Sequence, residues 1–164
     1  MRTETRSPCP SRIALTGTTK PPWARVALLE RALALGCPGA IQTEAAIAAT
    51  HCRARTADET DWSEIASLYA LLEGFRATPA VRVNRAFAVG KAKGPSHGLE
   101  LLDCTDIDVT SYPYVHLVRG ALLEDAGKSE AAVSSLKKSV QCARNEHERR
   151  QIEERIARLL ENKP

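Results

Sequence analysis

Residues 61–103 read DWSEIASLYALLEGFRATPAVRVNRAFAVGKAKGPSHGLELLD, and they carry the strongest structural signal in the chain. Asp61, with Glu64 three residues later, is typical of a helix start. The apolar residues that follow recur at helical spacing: Ile65, Leu68, Tyr69 and Leu72. Pro79 marks a second helix start, and Gly94–Pro95 separates that helix from a short third one. The stretch therefore predicts three consecutive helices joined by short turns.

The helical pattern extends in both directions from this stretch. Upstream, VALLERALAL at 26–35 predicts a helix that stops at Gly36, and IQTEAAIAATHCRA at 41–54 predicts another. In the latter helix four residues share one face: Ile41, Ala45, Ala48 and Cys52. Downstream, the pattern predicts three further helices, at residues 114–126, 129–143 and 145–160.

The composition favours a single all-α domain. Hydrophobic residues make up 43% of the chain, and most of them are Ala and Leu, whereas aromatic residues make up only 4%. Ala and Leu are strong helix formers, and Ala allows helices to approach closely. We predict a helical domain over residues 23–162. Residues 1–22 are rich in Thr, Ser, Pro and Arg without periodicity, which predicts a disordered basic tail.

Small residues recur where the helices of a repeat would cross. Tetratricopeptide-type hairpins repeat about every 34 residues and need small residues at the crossing of their two helices. Such residues occur twice, one period apart: Gly120, Ala132 and Ser139 in the later hairpin, and Ala86 and Gly98 in the earlier one. We therefore predict an all-α, tetratricopeptide-like stack of antiparallel helix hairpins with about seven to eight helices. A generic helical bundle is the alternative.

The charge distribution argues against nucleic-acid binding. The chain has a formal net charge of +3, but residues 1–25 contain five basic residues and one acid, so the remainder is close to neutral. A phosphate-binding domain usually concentrates positive charge on its folded surface. We expect no direct DNA binding from this chain alone.

The cysteines and the hydropathy pattern predict a cytoplasmic protein. The five cysteines are odd in number and none forms a CxxC pair, which is typical of reduced thiols rather than of a disulfide framework. No apolar run approaches the roughly 18 residues that a membrane span needs. The basic N-terminus lacks the continuous apolar segment of a signal peptide, so we expect no membrane contact.

Several segments, taken in order and with their spacing, carry a family resemblance. They are LLERALALG at 28–36, AAIAATH at 45–51, DWSEIASLY at 61–69, PAVRVNRAFAV at 79–89, GPSHGLELLD at 94–103 and HLVRGALLEDAGKSEAAVSSLKKSV at 116–140. Together they resemble the helical C-terminal extension of one group of bacterial extracytoplasmic-function (ECF) sigma factors. Each piece is short, but their combination is specific.

The resemblance implies a tetratricopeptide-like domain that follows two regions binding DNA and RNA polymerase, and that regulates or supports sigma activity. Nothing before residue 23 has the length or the helical pattern of either region. Promoter recognition is therefore not carried over to this chain. Whether the chain is a stand-alone relative or a fragment of a full-length sigma factor stays open at this point.

No catalytic, cofactor or metal site is predicted from motifs. The sequence contains no GxSxG, P-loop or glycine-rich dinucleotide motif, and no histidine or cysteine set has zinc-ligand spacing. We interpret Asp103, Asp106 and Asp108 as a solvated acidic turn rather than a cation site. We therefore expect a non-enzymatic protein that needs no cofactor or metal.

The repeat pattern predicts a concave surface lined by the first helices of the hairpins. Asn84 falls on the side of its helix that faces this surface, where its amide offers a donor and an acceptor to a peptide backbone. We hypothesise that Asn84, with Arg82 and Lys91, contacts an extended partner segment. Tyr114 and Arg119 are further candidates. The alternative for Asn84 is a structural hydrogen bond that holds two hairpins in register.

These observations predict a non-catalytic protein-interaction or regulatory domain related to ECF sigma factors. The expected partner is sigma region 2 or 4, or the RNA polymerase core, with a role in transcription initiation. One alternative is a stand-alone peptide-binding adaptor unrelated to transcription, and another is a small-molecule sensor or enzyme. We also interpret Trp62 as an anchor that packs under the next hairpin. The sequence does not specify an oligomeric state.

Overall fold

A computed structural model describes residues 39–56, 58–105, 107–108 and 112–161. The predicted tail at residues 1–22 and the predicted helix at 26–35 lie outside these ranges. Within them every regular element is an α-helix: α1 (Ala40–Arg53), α2 (Trp62–Phe75), α3 (Pro79–Lys93), α4 (Pro95–Cys104), α5 (Tyr114–Asp125), α6 (Ser129–Gln141) and α7 (Glu146–Glu161). The all-α prediction is confirmed. None of these described helices combines the length and apolar character that a membrane crossing demands.

The helices form a stack in which each one packs on its successor in the chain. α1–α2, α3–α4 and α5–α6 form consecutive hairpins, α3 also packs on α5, and α7 packs on α6. This arrangement is that of a helical repeat stack, as the sequence predicted.

The helix boundaries follow from local sequence. The Asp61 side chain accepts a hydrogen bond from the backbone N–H of Glu64 at 2.9 Å, which caps α2. Thr78 caps α3 in the same way by accepting from the N–H of Val81 at 3.3 Å. Gly127, in the turn between α5 and α6, has a φ of 71°, a conformation that residues with a Cβ rarely adopt. These local signals set the starts of α2 and α3 and the turn between α5 and α6.

Three helices meet at a contact between two glycines and one leucine. A Cβ built on Gly98 of α4 would lie 2.6 Å from the carbonyl oxygen of Ala86, 2.8 Å from the Cα of Gly90 and 2.9 Å from Cδ1 of Leu122. A Cβ on Gly90 of α3 would also collide with Leu122 of α5. Leu122 is fully buried. The prediction that small residues occupy helix crossings therefore holds at Ala86 and Gly98, and Gly90 is a third such position.

Two hydrophobic clusters among the described residues share α3. The first lies between α1, α2 and α3 and is built around Ile47, Ile65, Leu72, Val81 and Ala88. The second lies between α3, α4 and α5 and is built around Val83, Ala86, Leu102, Val118 and Leu122. α3 is therefore the central helix of the described stack, since it contributes opposite faces to both clusters.

α1 packs on α2 through a different face from the one that its predicted apolar stripe forms. Ile41, Ala45, Ala48 and Cys52 do share one face, but that face is exposed, and Ile41 is 71% accessible. The buried face instead includes Thr43 and Thr50. Their hydroxyls donate to the carbonyl oxygens of Gly39 (3.0 Å) and Ala46 (3.1 Å). These local bonds satisfy the hydroxyls, so both threonines can be buried at little cost.

We expect Gly98→Ala to lower the free energy of unfolding by about 1–3 kcal/mol, because the new methyl group meets backbone atoms that have no room to move. Gly74→Ala, in α2, is the matched control: a Cβ there meets nothing within 4 Å. That control should be neutral or stabilise the chain by up to about 1 kcal/mol, since Ala is the better helix former. Urea denaturation measures both, and equal effects at the two glycines would contradict the crossing contact.

Candidate functional site

An open groove of about 270 Å³ lies between α2, α3 and α5. Most of its lining is apolar, and the side chains come from five helices: His51 of α1; Trp62, Ile65 and Tyr69 of α2; Asn84, Phe87 and Ala88 of α3; Tyr114, Leu117, Val118 and Ala121 of α5; and Arg155 of α7. We call this surface the apolar groove. It is the largest concentration of aromatic side chains in the described part of the chain.

The groove exists because α3 and α5 run in the same direction with α4 returning between them. Lys91, near the end of α3, pairs with Asp125, at the end of α5, with Nζ and Oδ2 2.7 Å apart. The groove-facing residues of each helix follow helical spacing: Asn84, Phe87 and Ala88 on α3, and Tyr114, Leu117, Val118 and Ala121 on α5. Two parallel helices thus present one stripe each to the same hollow.

The groove departs from the predicted surface in one respect. α3 and α5, the first helices of their hairpins, line it as expected, but α2 is the second helix of its hairpin and also lines it. α1 packs on α2 and makes no comparable contact with α3. The first hairpin is therefore rotated relative to a regular repeat, and this brings Trp62, Ile65 and Tyr69 into the groove.

Three rings form one end of the groove. The Trp62 ring packs edge-on against both His51 and Phe87, with centroids 5.5 Å apart in each pair and interplanar angles of 77° and 89°. Such edge-to-face pairs are favourable beyond their buried area. Lys91 Nζ lies 5.7 Å from the Phe87 centroid. Trp62 thus joins the first hairpin to the second, in line with its predicted role as an anchor.

A polar pair interrupts the apolar wall. Burial raises the pKa of Tyr69, while a hydrogen bond from the side chain of Asn84 acts in the opposite direction. Tyr69 is on α2 and Asn84 on α3, so this contact lies between two successive hairpins. An amide offers more than one hydrogen bond, and Asn84 also lines the groove. Which of the two hypothesised roles Asn84 has, partner contact or structural hydrogen bond, stays a prediction.

The cationic candidates all form ion pairs within the stack. Arg82 pairs with Glu73, with Nε and Oε1 3.2 Å apart. Because Arg82 lies two residues, or about 200°, from Asn84 on an α-helix, it points away from the groove. Arg119 pairs with Asp103 at 2.6 Å. Of the five candidates, Asn84 and Tyr114 therefore line the groove, Lys91 pairs with Asp125 close to the Phe87 ring, and Arg82 and Arg119 are engaged elsewhere.

A carboxylate also neutralises Arg155, the cationic side chain in the groove lining. Arg155 Nε lies 2.5 Å from Oε2 of Glu124, so it carries no uncompensated charge into the groove. Tyr114, at the opposite end from Trp62, is 42% exposed. Its hydroxyl, the Asn84 amide and the Tyr69 hydroxyl are polar groups of the groove lining. The groove is thus an apolar, charge-compensated surface with aromatic side chains at both ends.

Several groove residues were not predicted from sequence, namely His51, Tyr69, Leu117 and Arg155. The spacing of Leu117 from Tyr114 is the one signal that identifies a groove neighbour on the same helix. The others depend on which helices meet in space. Among the described residues, no group of three or more His, Cys, Asp or Glu side chains lies close enough together to hold a metal ion.

We expect Asn84→Ala to raise the pKa of Tyr69 further, because the substitution removes the hydrogen bond that partly offsets burial. The phenolate absorbance of the native protein, titrated in parent and variant, measures the shift, and Tyr69→Phe identifies which tyrosine is responsible. An unchanged titration would show that the bond does not form in solution.

The same raised pKa predicts a pH dependence of stability. The folded state keeps the Tyr69 hydroxyl protonated at pH values above 10.0, the ordinary pKa of tyrosine, whereas the unfolded chain releases that proton there. Stability should therefore fall as the pH rises through this range. Tyr69→Phe should remove that part of the dependence, which urea denaturation at successive alkaline pH values measures.

Comparison with known proteins shows similarity to a bacterial protein but does not show a family. An uncharacterized protein of Rhizobium meliloti (strain 1021) is 37% identical to this chain over 123 residues, which are 75% of this chain and 29% of that protein. The matched segment thus spans less than a third of the length of that relative. No family model matches the chain, and no solved structure matches it.

Proposed function

We propose that this chain is a protein-interaction domain whose apolar groove holds a segment of a partner protein. The observation that supports this most is the groove itself: a concave, mostly apolar surface with aromatic side chains at both ends. Aromatic side chains dominate the binding energy of protein interfaces when they lie in a central, desolvated position. A groove that is open along its length suits a chain segment.

The charge pattern supports a protein partner over a nucleic acid. Affinity for nucleic acids comes largely from lysines and arginines that neutralise phosphates. Here Lys91 and Arg155, the cations at the groove, already pair with Asp125 and Glu124. A phosphate would have to displace these carboxylates, whereas an apolar side chain only displaces water. Burying one large apolar side chain contributes about 1.5–3 kcal/mol.

The resemblance to the ECF sigma-factor extension supplies the proposed partner. We propose that the groove contacts sigma region 2 or 4, or the RNA polymerase core, and thereby regulates transcription initiation in the bacterial cytoplasm. The Rhizobium relative is consistent with this role, because it carries the matched segment within a much longer protein. In such a protein the groove and the segment it binds can belong to one chain.

Direct binding measurements test the proposal. We would titrate the purified chain with RNA polymerase core enzyme and with isolated sigma regions 2 and 4, using calorimetry. Tyr114→Ala and Leu117→Ala should weaken the affinity about tenfold or more, which corresponds to about 1.4 kcal/mol for each factor of ten. Leu160→Ala is the matched control, since Leu160 is exposed on α7 away from the groove.

The possible outcomes distinguish an error in the groove assignment from an error in the proposed partner. Binding that both groove variants leave unchanged would contradict the groove assignment. No binding to polymerase or to either sigma region would contradict the transcription role and leave an adaptor outside transcription as the alternative. Asn84→Ala adds a third criterion: a loss of affinity without a loss of stability supports a direct contact, whereas a parallel loss of both indicates a structural role for Asn84.

A further inference from the structure

A second cavity lies where α5, α6 and α7 meet. It has a volume of about 400 Å³, which falls within the range of small-molecule sites. Three stretches of the chain supply the side chains that matter for its chemistry: Tyr112 and Tyr114 where α5 begins, Ser139 near the end of α6, and Arg144, Asn145 and Glu148 where α7 begins. We call this cavity the α5–α7 pocket. Unlike the groove, it combines an aromatic wall with a cluster of hydrogen-bonding groups.

Two tyrosine rings form the aromatic wall of the pocket. The rings of Tyr112 and Tyr114 meet edge-on, with centroids 6.1 Å apart and an interplanar angle of 62°. Burial raises the pKa of Tyr112, and Tyr114 adds to this rise, whereas the positive charge of Arg144 acts in the opposite direction. The guanidinium is therefore close enough to the Tyr112 hydroxyl for its charge to act there. A cation thus lies beside the aromatic wall.

The charge of Arg144 is not compensated within the described stack. Its backbone N–H donates to Oε2 of Glu148 at 3.0 Å, but its guanidinium forms no ion pair with a residue of the described ranges. By contrast, Lys91 and Arg155 at the groove are both paired with carboxylates. A guanidinium offers five N–H donors in a planar fork that suits a carboxylate. The pocket therefore offers a position for an anion.

Two uncharged side chains add hydrogen-bonding capacity next to this position. Ser139 is only 6% exposed, yet its hydroxyl has no hydrogen-bond partner among the residues that the structure describes. Buried hydroxyls are normally hydrogen-bonded, so the Ser139 hydroxyl is available to a ligand in the pocket that it lines. Asn145 accepts with Oδ1 from the backbone N–H of Glu148 at 2.8 Å. This leaves the two N–H donors of its amide for a ligand.

We propose that the α5–α7 pocket binds a small organic acid with one carboxylate and an aromatic ring. The carboxylate pairs with the Arg144 guanidinium, an arrangement whose charged hydrogen bonds are stronger than neutral ones, and it also accepts from Ser139 or Asn145. The ring of the acid packs against Tyr112 and Tyr114, since aromatic pairs are favourable beyond their buried area.

Glu148 limits the charge of the ligand. Its carboxylate also lines the pocket, where one oxygen accepts from the backbone N–H of Arg144. Arg144 supplies one positive charge, so a second negative charge on the ligand would lie near Glu148 without a cation to pair with. The lining therefore favours a monoanionic carboxylate over a dianionic phosphate ester.

Tyr114 connects the pocket to the apolar groove, because its side chain lines both. A ligand that packs on this ring restricts the rotamers that are left for a groove occupant, which couples the two sites. This coupling rests on the proposed function. Acid binding does not, because it requires only the residues of the pocket. A failure of acid binding would therefore leave the proposed function standing.

Protection of Cys142 in the full chain tests acid binding. Cys142 lines the pocket and is exposed, whereas Cys52 and Cys104 are exposed outside it. We would treat the chain with iodoacetamide at increasing concentrations of 3-phenylpropionate and map the labelled peptides by mass. Cys142 should react several-fold more slowly at saturating acid, while the rates of the other two thiols stay unchanged. No protection of Cys142 at millimolar acid, or equal protection of all three thiols, would overturn the proposal.

Two further probes test the chemistry of the ligand. 3-Phenylpropionamide has the same ring but no charge, and it should protect Cys142 about tenfold less effectively or worse, because the charged hydrogen bonds to Arg144 are lost. Phenyl phosphate, a dianion at neutral pH, should also protect less effectively than the carboxylate. Equal protection by the amide, or stronger protection by phenyl phosphate, would overturn the carboxylate assignment.

Substitutions locate the bound acid. Arg144→Gln should raise the 3-phenylpropionate concentration that halves the Cys142 rate by about tenfold or more, and Ser139→Ala should raise it by a smaller factor. Arg149→Gln is the matched control, since Arg149 is exposed near the start of α7 and does not line the pocket. Urea denaturation verifies that each variant folds. Equal values for Arg144→Gln and Arg149→Gln would overturn the proposal.

Discussion

The contact of Gly90, Gly98 and Leu122 is the constraint on which the rest of the stack depends. The backbones of α3 and α4 touch at the two glycines, and the Leu122 side chain of α5 fills the remaining space. Neither glycine leaves room for a Cβ, so α3 and α4 can approach this closely only with glycine at both positions. α5 is seated against both helices at once, which fixes the spacing of α3 and α5 as well.

The groove follows from that spacing. α3 and α5 are held close enough for Val83, Val118 and Leu122 to pack together in the core, while Phe87 of α3 and Leu117 of α5 line the groove. Lys91, whose Nζ lies 5.7 Å from the centroid of the Phe87 ring, pairs with Asp125. A substitution at the glycine contact would therefore alter the groove without touching any residue that lines it.

Sequence patterns identified the helices and their small crossing residues because these are local or periodic signals. The capping pair at Asp61 and Glu64 is a short-range signal, and Gly98 is recognisable by its place in the repeat. Arg82 was grouped with Asn84 because of proximity in sequence, although the two residues face opposite sides of α3. The ring contacts of Trp62 with His51 and Phe87 depend on the rotation of α1–α2 relative to α3, which no local pattern encodes.

The face of α1 was harder to predict, for a related physical reason. A helix with apolar residues on both sides gives no periodic preference for one side, so the placement of Thr43 and Thr50 decides which side is buried against α2. Their hydroxyls bond to backbone carbonyls within the helix, which makes them acceptable in the core.

The pair of Tyr69 and Asn84 combines a structural requirement with a position at the groove. In an apolar wall, each polar group must find a partner or incur a desolvation cost. A hydrogen bond from the Asn84 side chain opposes the rise in the Tyr69 pKa that burial causes, and both residues line the groove. Under the proposed function, this contact would restrict the orientation of the Asn84 amide before a partner backbone arrives, and such pre-orientation lowers the entropy cost of binding.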